Sequence, residues 1–246
     1  MVTLEQINLV FEKITNDKRY KCKPGYKSPK QRFEEFDALS FREEDYQGQD
    51  SSVYDPEDYN SPTGELQKQQ ESLQDDVNYT DEDKALIEGY QSDFFEQMNS
   101  YLYGKGEYED NDKIYLTVDG EDVPLSLKEG CEKLSEVIHK SPSLQENTVL
   151  WRGGEFPSDI GVGEHGVFKG FTSTSFNENM GKAWQENYGN YLIKIYAPKG
   201  TKGIVPTENL NCVEGQSELV LDKSQKYVVI AREDNGSPPI VEVLLY

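Results

Sequence analysis

From Asn147 to Tyr246 the chain consists of short runs of strand-forming residues with no long helical pattern between them. The runs are Val149–Arg152, Gly166–Ser175, Tyr191–Tyr196, Ser217–Leu221, Lys226–Ala231 and Pro239–Tyr246. Glycine, asparagine and proline separate them, and these residues mark turns. Strands without long crossover helices between them pair mainly antiparallel. The pattern therefore limits this half of the chain to mainly antiparallel sheets.

Two amphipathic helices are predicted before these strands. The first begins at Thr80, a residue suited to cap a helix that opens with acidic side chains. Its apolar stripe consists of Ala85, Leu86, Tyr90, Phe94, Phe95 and Met98. The second follows Ser126 and ends before Pro142. Its stripe consists of Leu127, Cys131, Leu134, Val137 and Ile138. We predict an α+β domain over 79–246, with N-terminal helices and two packed, mainly antiparallel β-sheets.

The chain before this domain has a different texture. Residues 1–20 contain apolar side chains at helical spacing, which predicts a short amphipathic helix. Residues 21–78 are rich in Asp, Glu, Gln, Ser, Pro and Tyr, so they bury too little apolar surface to offset their ordering entropy. We predict a mostly disordered acidic tether there. A partner-binding or inhibitory tail is the alternative.

The formal net charge of −21 limits the partners of the chain. A chain this acidic repels phosphate backbones, so nucleic acid is not expected as a partner. No stretch approaches the roughly 20 apolar residues that span a bilayer, and the first residues lack the pattern of a signal peptide. We expect a soluble monomer with no membrane contact.

Cysteine and histidine offer little material for a metal site. Cys22, Cys131 and Cys212 are far apart and odd in number, so neither a disulfide framework nor a zinc site is indicated. His139 and His165 lie on different segments, which argues against a Ser-His-Asp triad. The cysteine pattern fits a reducing compartment.

Three polar features follow one another in the β-rich half. Arg152 ends the run Val149–Arg152, and a Ser-Thr-Ser triplet at 173–175 ends the next run. Further along the chain, Gln216 comes directly before the run Ser217–Leu221, and Glu218 is the second residue of that run. Each feature alone carries little information, because charged and hydroxyl side chains at strand ends are usually ordinary exposed residues. Their order along the chain is the informative observation.

In this order the features resemble the Arg-Ser-Glu class of mono-ADP-ribosyltransferase toxins and exoenzymes of bacteria and phages, over roughly 80–246. The spacing from Tyr90 to Asn99 is similar to that of the family's first helix, and the Trp151-Arg152-Gly153 run is similar to its aromatic-Arg-Gly strand. The resemblance implies the ADP-ribosyltransferase fold, NAD as substrate and no metal. It implies that the enzyme cleaves NAD at the nicotinamide–ribose bond and passes ADP-ribose to an acceptor.

The chemistry of NAD gives a reason for the main residue types. Positive charge develops on the ribose as the glycosidic bond breaks, so we assign Glu218 as the catalytic carboxylate. Arg152 is expected to clamp the diphosphate with its planar, permanently charged guanidinium. Ser173 is expected to orient Glu218 through a hydrogen bond.

The resemblance implies further contacts to NAD. A backbone amide beside Arg152 can bind the nicotinamide carboxamide, and Gly153 would let the ligand approach closely. Thr174 and Ser175 are assigned to the same cofactor-binding group, with a part in shaping the strand. Tyr90 and Asn99 match positions that contact the nucleotide, although Tyr90 also lies on the apolar stripe.

Gln216 stands two residues before Glu218, where the family contacts the acceptor. The resemblance links Glu at this position to arginine acceptors, and Gln to asparagine, glutamine or, in some relatives, guanine bases. A neutral amide can donate to and accept from another amide, so Asn or Gln is favoured over Arg. The Val213-Glu214-Gly215 segment lacks the aromatic of Rho-modifying clostridial exoenzymes, so Rho-like docking is not expected.

Three hypotheses for function follow. The first is a transferase that modifies an unidentified host protein in a reducing cytoplasm, after secretion or injection by a phage particle. The second is an NAD glycohydrolase, with water as acceptor. The third is a catalytically idle ADP-ribosyltransferase fold used as a binding or virion structural module. The presence of Arg152, Ser173 and Glu218 counts against the third.

Overall fold

The computed structural model describes residues 43–48, 65–207 and 218–246. The helices are α1 (Glu65–Asp75), α2 (Asp81–Gly89), α3 (Phe95–Tyr103), α4 (Leu127–Lys140) and α5 (Glu178–Tyr188). A π-helical turn (Tyr90–Phe94) joins α2 to α3, and a 3-10 turn spans Glu43–Asp45. The strands are β1 (Lys113–Val118), β2 (Glu121–Ser126), β3 (Thr148–Gly154), β4 (His165–Phe168), β5 (Thr172–Ser175), β6 (Tyr191–Ala197), β7 (Gly203–Ile204), β8 (Glu218–Leu221), β9 (Gln225–Glu233) and β10 (Ile240–Leu245).

The strands form two sheets. β1 and β2 form an antiparallel hairpin, and the others form one sheet in the order β4-β9-β10-β6-β3-β5-β8-β7. β10 pairs with β6 in parallel, and the remaining pairs are antiparallel. The predicted α+β class with mainly antiparallel sheets is confirmed. The hairpin was not predicted, because β2 contains Pro124 and exposes most of its side chains.

The two predicted helix starts are confirmed by their caps. Thr80 accepts a hydrogen bond from the backbone N–H of Asp83, and the Asp83 carboxylate accepts one from the backbone N–H of Thr80. Ser126 and Glu129 form the same reciprocal capping box at the start of α4. Both helices therefore begin where local side-chain chemistry satisfies their first N–H groups.

The apolar stripe of the first helical segment is correct only in part. Tyr90 and Met98 are buried, but Phe95 is 48% exposed. The π-helical turn explains the difference, because it holds an extra residue and rotates the side chains that follow. The predicted stripe of α4, which contains no such turn, is buried throughout.

The β-rich half contains a helix, α5, that the sequence analysis does not predict. Its residues are mostly polar and include a glycine, so the helical pattern is weak. Asn177 caps the helix by accepting a hydrogen bond from the backbone N–H of Asn179. The helix lies directly on β3, where a Cβ on Gly153 would stand 1.9 Å from the backbone nitrogen of Gln185.

Two apolar clusters fix the position of β8. One lies among α2, α3, α4 and β1 and reaches the sheet through Phe171 and Val220. The other lies on the large sheet and includes Leu150 and Leu219. Leu219 and Val220 are neighbours on β8, so close packing holds this strand from both sides. Glu218 stands at its first position.

Part of the predicted tether is ordered, which differs from the expectation for 21–78. Helix α1 packs on the domain: Gln70 donates a hydrogen bond to the backbone oxygen of Pro142, and Gln74 accepts one from the backbone N–H of Val205. Both glutamines are buried. Hydrogen-bonded polar side chains contribute to this contact, so a prediction based on low apolar content does not include it.

Residues 43–48 are a second ordered piece of the same segment. Gln47 forms a parallel bridge with Thr148, and the Tyr46 ring meets the Tyr196 ring edge-on at 5.3 Å between centroids. The rest of the predicted tether and the predicted helix in 1–20 lie outside the described residues.

Candidate active site

Three neighbouring strands carry the residues that the sequence analysis singled out. β3 carries Arg152, β5 carries Ser173, and β8 begins at Glu218. β5 lies between the other two strands, because Ser175 pairs with Trp151 on one side and with Glu218 on the other. The strand order therefore brings together residues that are far apart in the chain.

Glu218 is 7% exposed, and Gln91 holds its carboxylate. Gln91 Nε2 donates a hydrogen bond of 2.7 Å to Glu218 Oε2, and the Ser173 hydroxyl lies close enough to lower the pKa of the carboxyl group. Burial raises the pKa of Glu218 above its ordinary value, while Ser173, Gln91 and the charge of Arg152 act in the opposite direction. The carboxylate is thus desolvated, oriented and close to a permanent positive charge.

Arg152 reaches from β3 to β5. Its Nη1 donates a hydrogen bond of 2.7 Å to the backbone oxygen of Ser173. Gly154 leaves room for the arginine, because a Cβ there would lie 3.1 Å from Arg152 Nε. The side chain is partly exposed, so the guanidinium is held on one side and accessible on another.

Tyr90 and Asn99 lie on the first helical segment and contact the chain beside β5. The Tyr90 hydroxyl donates to the backbone oxygen of Phe171 over 3.4 Å and accepts from Asn99 Nδ2 over 3.2 Å. Tyr90 is buried, and burial raises its pKa. Asn99 is partly exposed, but its Oδ1 is buried and has no hydrogen-bond partner within the described part of the chain.

Gln91 is the site residue that the sequence analysis missed. It lies in the π-helical turn, next to Tyr90, and contacts Glu218 directly. A regular helix through Tyr90, Phe94 and Met98 would place Gln91 off the apolar stripe, which suggests an ordinary exposed residue. Nothing local marks a π-helical turn, although such turns are frequent at functional sites.

Three residues that we expect to contact NAD have neighbours within the protein. Gly153 accommodates the backbone of α5, so this helix by itself requires glycine there. Thr174 is fully buried, and its hydroxyl donates to the backbone oxygen of Leu219 over 2.7 Å. Ser175 is also buried and accepts from the backbone N–H of Asn177. These contacts give the two hydroxyls a part in shaping the strand, and their contact with NAD stays a prediction.

Gln216, which we expect to contact the acceptor, lies outside the described residues. The neighbouring Val213 and Glu214 lie outside them as well. Their roles remain predictions from the sequence.

The two histidines lie on different elements, as their positions in the sequence indicate. His139 of α4 has Nδ1 3.4 Å from a carboxylate oxygen of Asp222, and His165 of β4 bonds to the Tyr246 hydroxyl. In 43–48, 65–207 and 218–246, no group of three His, Cys, Asp or Glu side chains could hold a metal ion. No helix in these ranges is long and apolar enough to cross a bilayer.

Comparison with known protein families matches residues 59–241 to the family described as ADP-ribosyltransferase exoenzyme. No curated protein sequence matches the chain. Among solved structures, C3stau2 from S. aureus, crystallised with NAD, is 19% identical with a TM-score of 0.56, covering 74% of this chain and 94% of that chain. The Clostridium limosum C3 exoenzyme is 18% identical with a TM-score of 0.56, covering 74% of this chain and 93% of that chain.

A third solved structure, the ADP-ribosyltransferase toxin Plx2a from Paenibacillus larvae, is 18% identical with a TM-score of 0.51, covering 74% of this chain and 92% of that chain. At such identities the structural likenesses establish the fold. The family match spans most of the chain, and its range includes β3, β5 and β8. The chain therefore belongs to the ADP-ribosyltransferase exoenzyme family and is an NAD-dependent mono-ADP-ribosyltransferase.

Proposed function

We propose that this enzyme transfers ADP-ribose from NAD to a side chain of another protein, with asparagine or glutamine favoured over arginine as the acceptor. The observation that carries the proposal is the Glu218 carboxylate, which is buried, held by Gln91, and close to Ser173 and to the charge of Arg152. In such a water-poor environment, a fixed carboxylate acts on a nearby positive charge more strongly than it would in water.

Glu218 serves the bond-breaking step. As nicotinamide leaves, positive charge develops on the ribose, and an ionised carboxylate beside the ring stabilises this state more than the ground state. Glu218 also accepts a hydrogen bond from the ribose 2′-hydroxyl. The Gln91 donor holds the carboxylate in place before NAD arrives, so little reorganisation is needed during the reaction.

Arg152 binds the diphosphate of NAD. One of its N–H groups is used by the backbone oxygen of Ser173, which orients the guanidinium plane. The remaining N–H groups of this planar fork match the oxygens of a phosphate. We propose that Asn99, which is partly exposed beside Tyr90, adds a contact to the nucleotide, as the family resemblance implies.

Gln216 selects the acceptor. Its amide can exchange two hydrogen bonds with an asparagine or glutamine side chain, whereas a carboxylate in its place would favour a cationic guanidinium. We expect the acceptor protein in a reducing cytoplasm that the enzyme reaches by secretion or by injection from a phage particle. If water takes the place of the acceptor, the same Glu218 chemistry makes the enzyme an NAD glycohydrolase.

The test is NAD-dependent labelling of a cell lysate by the wild type and by Glu218→Gln, with mass spectrometry of the modified residue. We expect labelled protein with the wild type, modification at Asn or Gln, and a fall in kcat of about 10²–10³-fold in the variant, the usual cost of losing one transition-state group. The control is Glu121→Gln, which removes an exposed carboxylate from the hairpin.

Each outcome bears on a different part of the proposal. Full activity in Glu218→Gln would contradict the catalytic assignment. Labelled arginine would contradict the acceptor class. Nicotinamide release at full rate without labelled protein would make the enzyme a glycohydrolase instead.

A further inference from the structure

The hydrogen bond between Gln91 and Glu218 joins residues that are 127 positions apart in the chain. Gln91 is partly exposed, whereas its partner is 7% exposed. Nε2 of Gln91 and Oε2 of Glu218 are 2.7 Å apart, which is a short distance for a bond from a neutral amide to a carboxylate. The contact therefore ties the first helical segment to the first residue of β8.

The π-helical turn makes this contact possible. Each turn of a π-helix holds more residues than a turn of an α-helix, so consecutive side chains can reach neighbouring parts of one surface. Tyr90 bonds to the backbone oxygen of Phe171, just before β5, while Gln91 bonds to Glu218 at the start of β8. The Phe94 ring fills the space above Gly89, where a Cβ would lie 2.3 Å from it. Packing at both ends of the turn holds Gln91 toward the sheet.

We propose that Gln91 is a positioning residue for the transfer reaction: its amide N–H fixes Oε2 of Glu218 and stabilises the charged form of this carboxylate. The inference rests on the proposed function of Glu218. Gln91 acts through the carboxylate and supplies no atom to the substrate. Its amide suits this task because it donates a hydrogen bond without adding a charge that would compete for the diphosphate of NAD.

The surroundings of Glu218 show why one more donor matters. Within the described residues, the charged or titratable groups that act on it are Arg152 from β3 and Tyr90 from the π-helical turn, and the Ser173 hydroxyl of β5 also lowers its pKa. Burial disfavours the charged carboxylate more than these groups favour it, since the pKa of Glu218 is raised overall. Loss of the Gln91 donor would raise this pKa further.

The experiment compares Gln91→Met, which keeps the length of the side chain and removes the donor, with the wild type. We expect kcat to fall roughly 10- to 100-fold, the value of a hydrogen bond to a charged group, and KM for NAD to stay within about 2-fold. In a plot of kcat against pH, the acid limb should move to higher pH in the variant, because Glu218 then takes up its proton at a higher pH. A residue with only a structural role would lower the folded fraction without moving this limb.

Ser92→Ala is the matched control. Ser92 lies in the same turn, is exposed, and bonds to the backbone oxygen of Glu88 and to Asp93 rather than to Glu218. We expect its kcat and its acid limb to match those of the wild type. Thermal unfolding of both variants shows whether the turn still folds.

A second measurement does not depend on activity. The 13C signal of the Glu218 carboxyl, identified by its absence in Glu218→Gln, should titrate at higher pH in Gln91→Met and at the wild-type pH in Ser92→Ala. An unmoved titration together with an unmoved acid limb would overturn the proposal. A rise in KM for NAD at constant kcat would overturn it too, because Gln91 would then bind the substrate directly. Full activity of Glu218→Gln would instead reject the function proposed for Glu218, whatever Gln91 does to its titration.

Discussion

Burial of Glu218 lowers the free energy of unfolding of the domain, but it makes the carboxylate more effective in catalysis. A carboxylate that is 7% exposed loses most of its hydration, and the Gln91 hydrogen bond, the nearby Ser173 hydroxyl and the charge of Arg152 offset only part of that loss. The same desolvation makes the carboxylate effective on a cationic ribose. A functional residue of this kind lowers the free energy of unfolding at the pH at which it works.

Glu218→Gln is therefore expected to raise the free energy of unfolding at pH 7 by on the order of 1 kcal/mol, the usual gain at such positions. The folded-state pKa of Glu218 lies above its unfolded value, so the folded protein holds this proton where the unfolded chain has lost it. The stability of the wild type is then fully present below the unfolded pKa and decreases as the pH rises through the folded pKa.

Urea unfolding at a series of pH values tests this expectation. The gain of Glu218→Gln over the wild type should be present at pH 7 and vanish below about pH 3, where Glu218 is protonated in both the folded and the unfolded wild type. Glu121→Gln should show no such pH dependence, because Glu121 is exposed. A gain that stays constant down to low pH would point to packing rather than to charge.

At the scale of elements, two helical pieces decide the shape of the site. The π-helical turn brings Gln91 to Glu218, and α5 covers β3 beside Arg152. The contact of α5 depends on glycines: a Cβ at Gly153 would meet the backbone of Gln185, and a Cβ at Gly189 would lie 2.3 Å from the backbone of Gly154. The backbones of α5 and β3 cannot move aside as a flexible side chain can, so neither Gly153 nor Gly189 can be replaced by a residue with a side chain without a shift of the backbone.

Gly153→Ala is expected to lower the free energy of unfolding by about 3 kcal/mol, at the upper end of the usual cost of overpacking, because α5 must shift away from β3. The measurement is urea unfolding. Gly161→Ala is the control: its Cβ would lie 3.7 Å from Glu164 Oε2, an ordinary contact, so the change should stay within about 0.5 kcal/mol. Equal losses in the two variants would show that α5 does not press on β3.

At the scale of the whole molecule, residues from the N-terminal side add to the folded unit. Glu43 contacts Lys194 and the Tyr196 hydroxyl, and its pKa is lowered chiefly by the hydrogen bond with Lys194. Gln47 bonds to the backbone at the start of β3 on both sides of Thr148. Residues before position 79 therefore pack on the 79–246 unit, and Gln47 supports the strand that carries Arg152.

Tyr46→Ala tests how much this segment contributes. Loss of the edge-on contact with Tyr196 and of the apolar area around it should lower the free energy of unfolding by about 2 kcal/mol. Thermal or urea unfolding of the full chain measures the change. Tyr188→Ala, at a side chain that is 76% exposed, is the control and should change stability by less than about 0.5 kcal/mol. If both variants unfold alike, the segment does not stabilise the domain.

The sequence by itself determined the α+β class, the starts of α2 and α4, and the order Arg152, Ser173, Glu218. Caps, apolar periodicity and turn residues act within a few positions, so they can be recognised in the chain before it folds. Only the tertiary structure decided that Gln91 holds Glu218 and that α5 covers Gly153. These arrangements depend on which distant groups satisfy a buried polar atom or fill a gap between backbones, and such partners meet only when the whole sheet has formed.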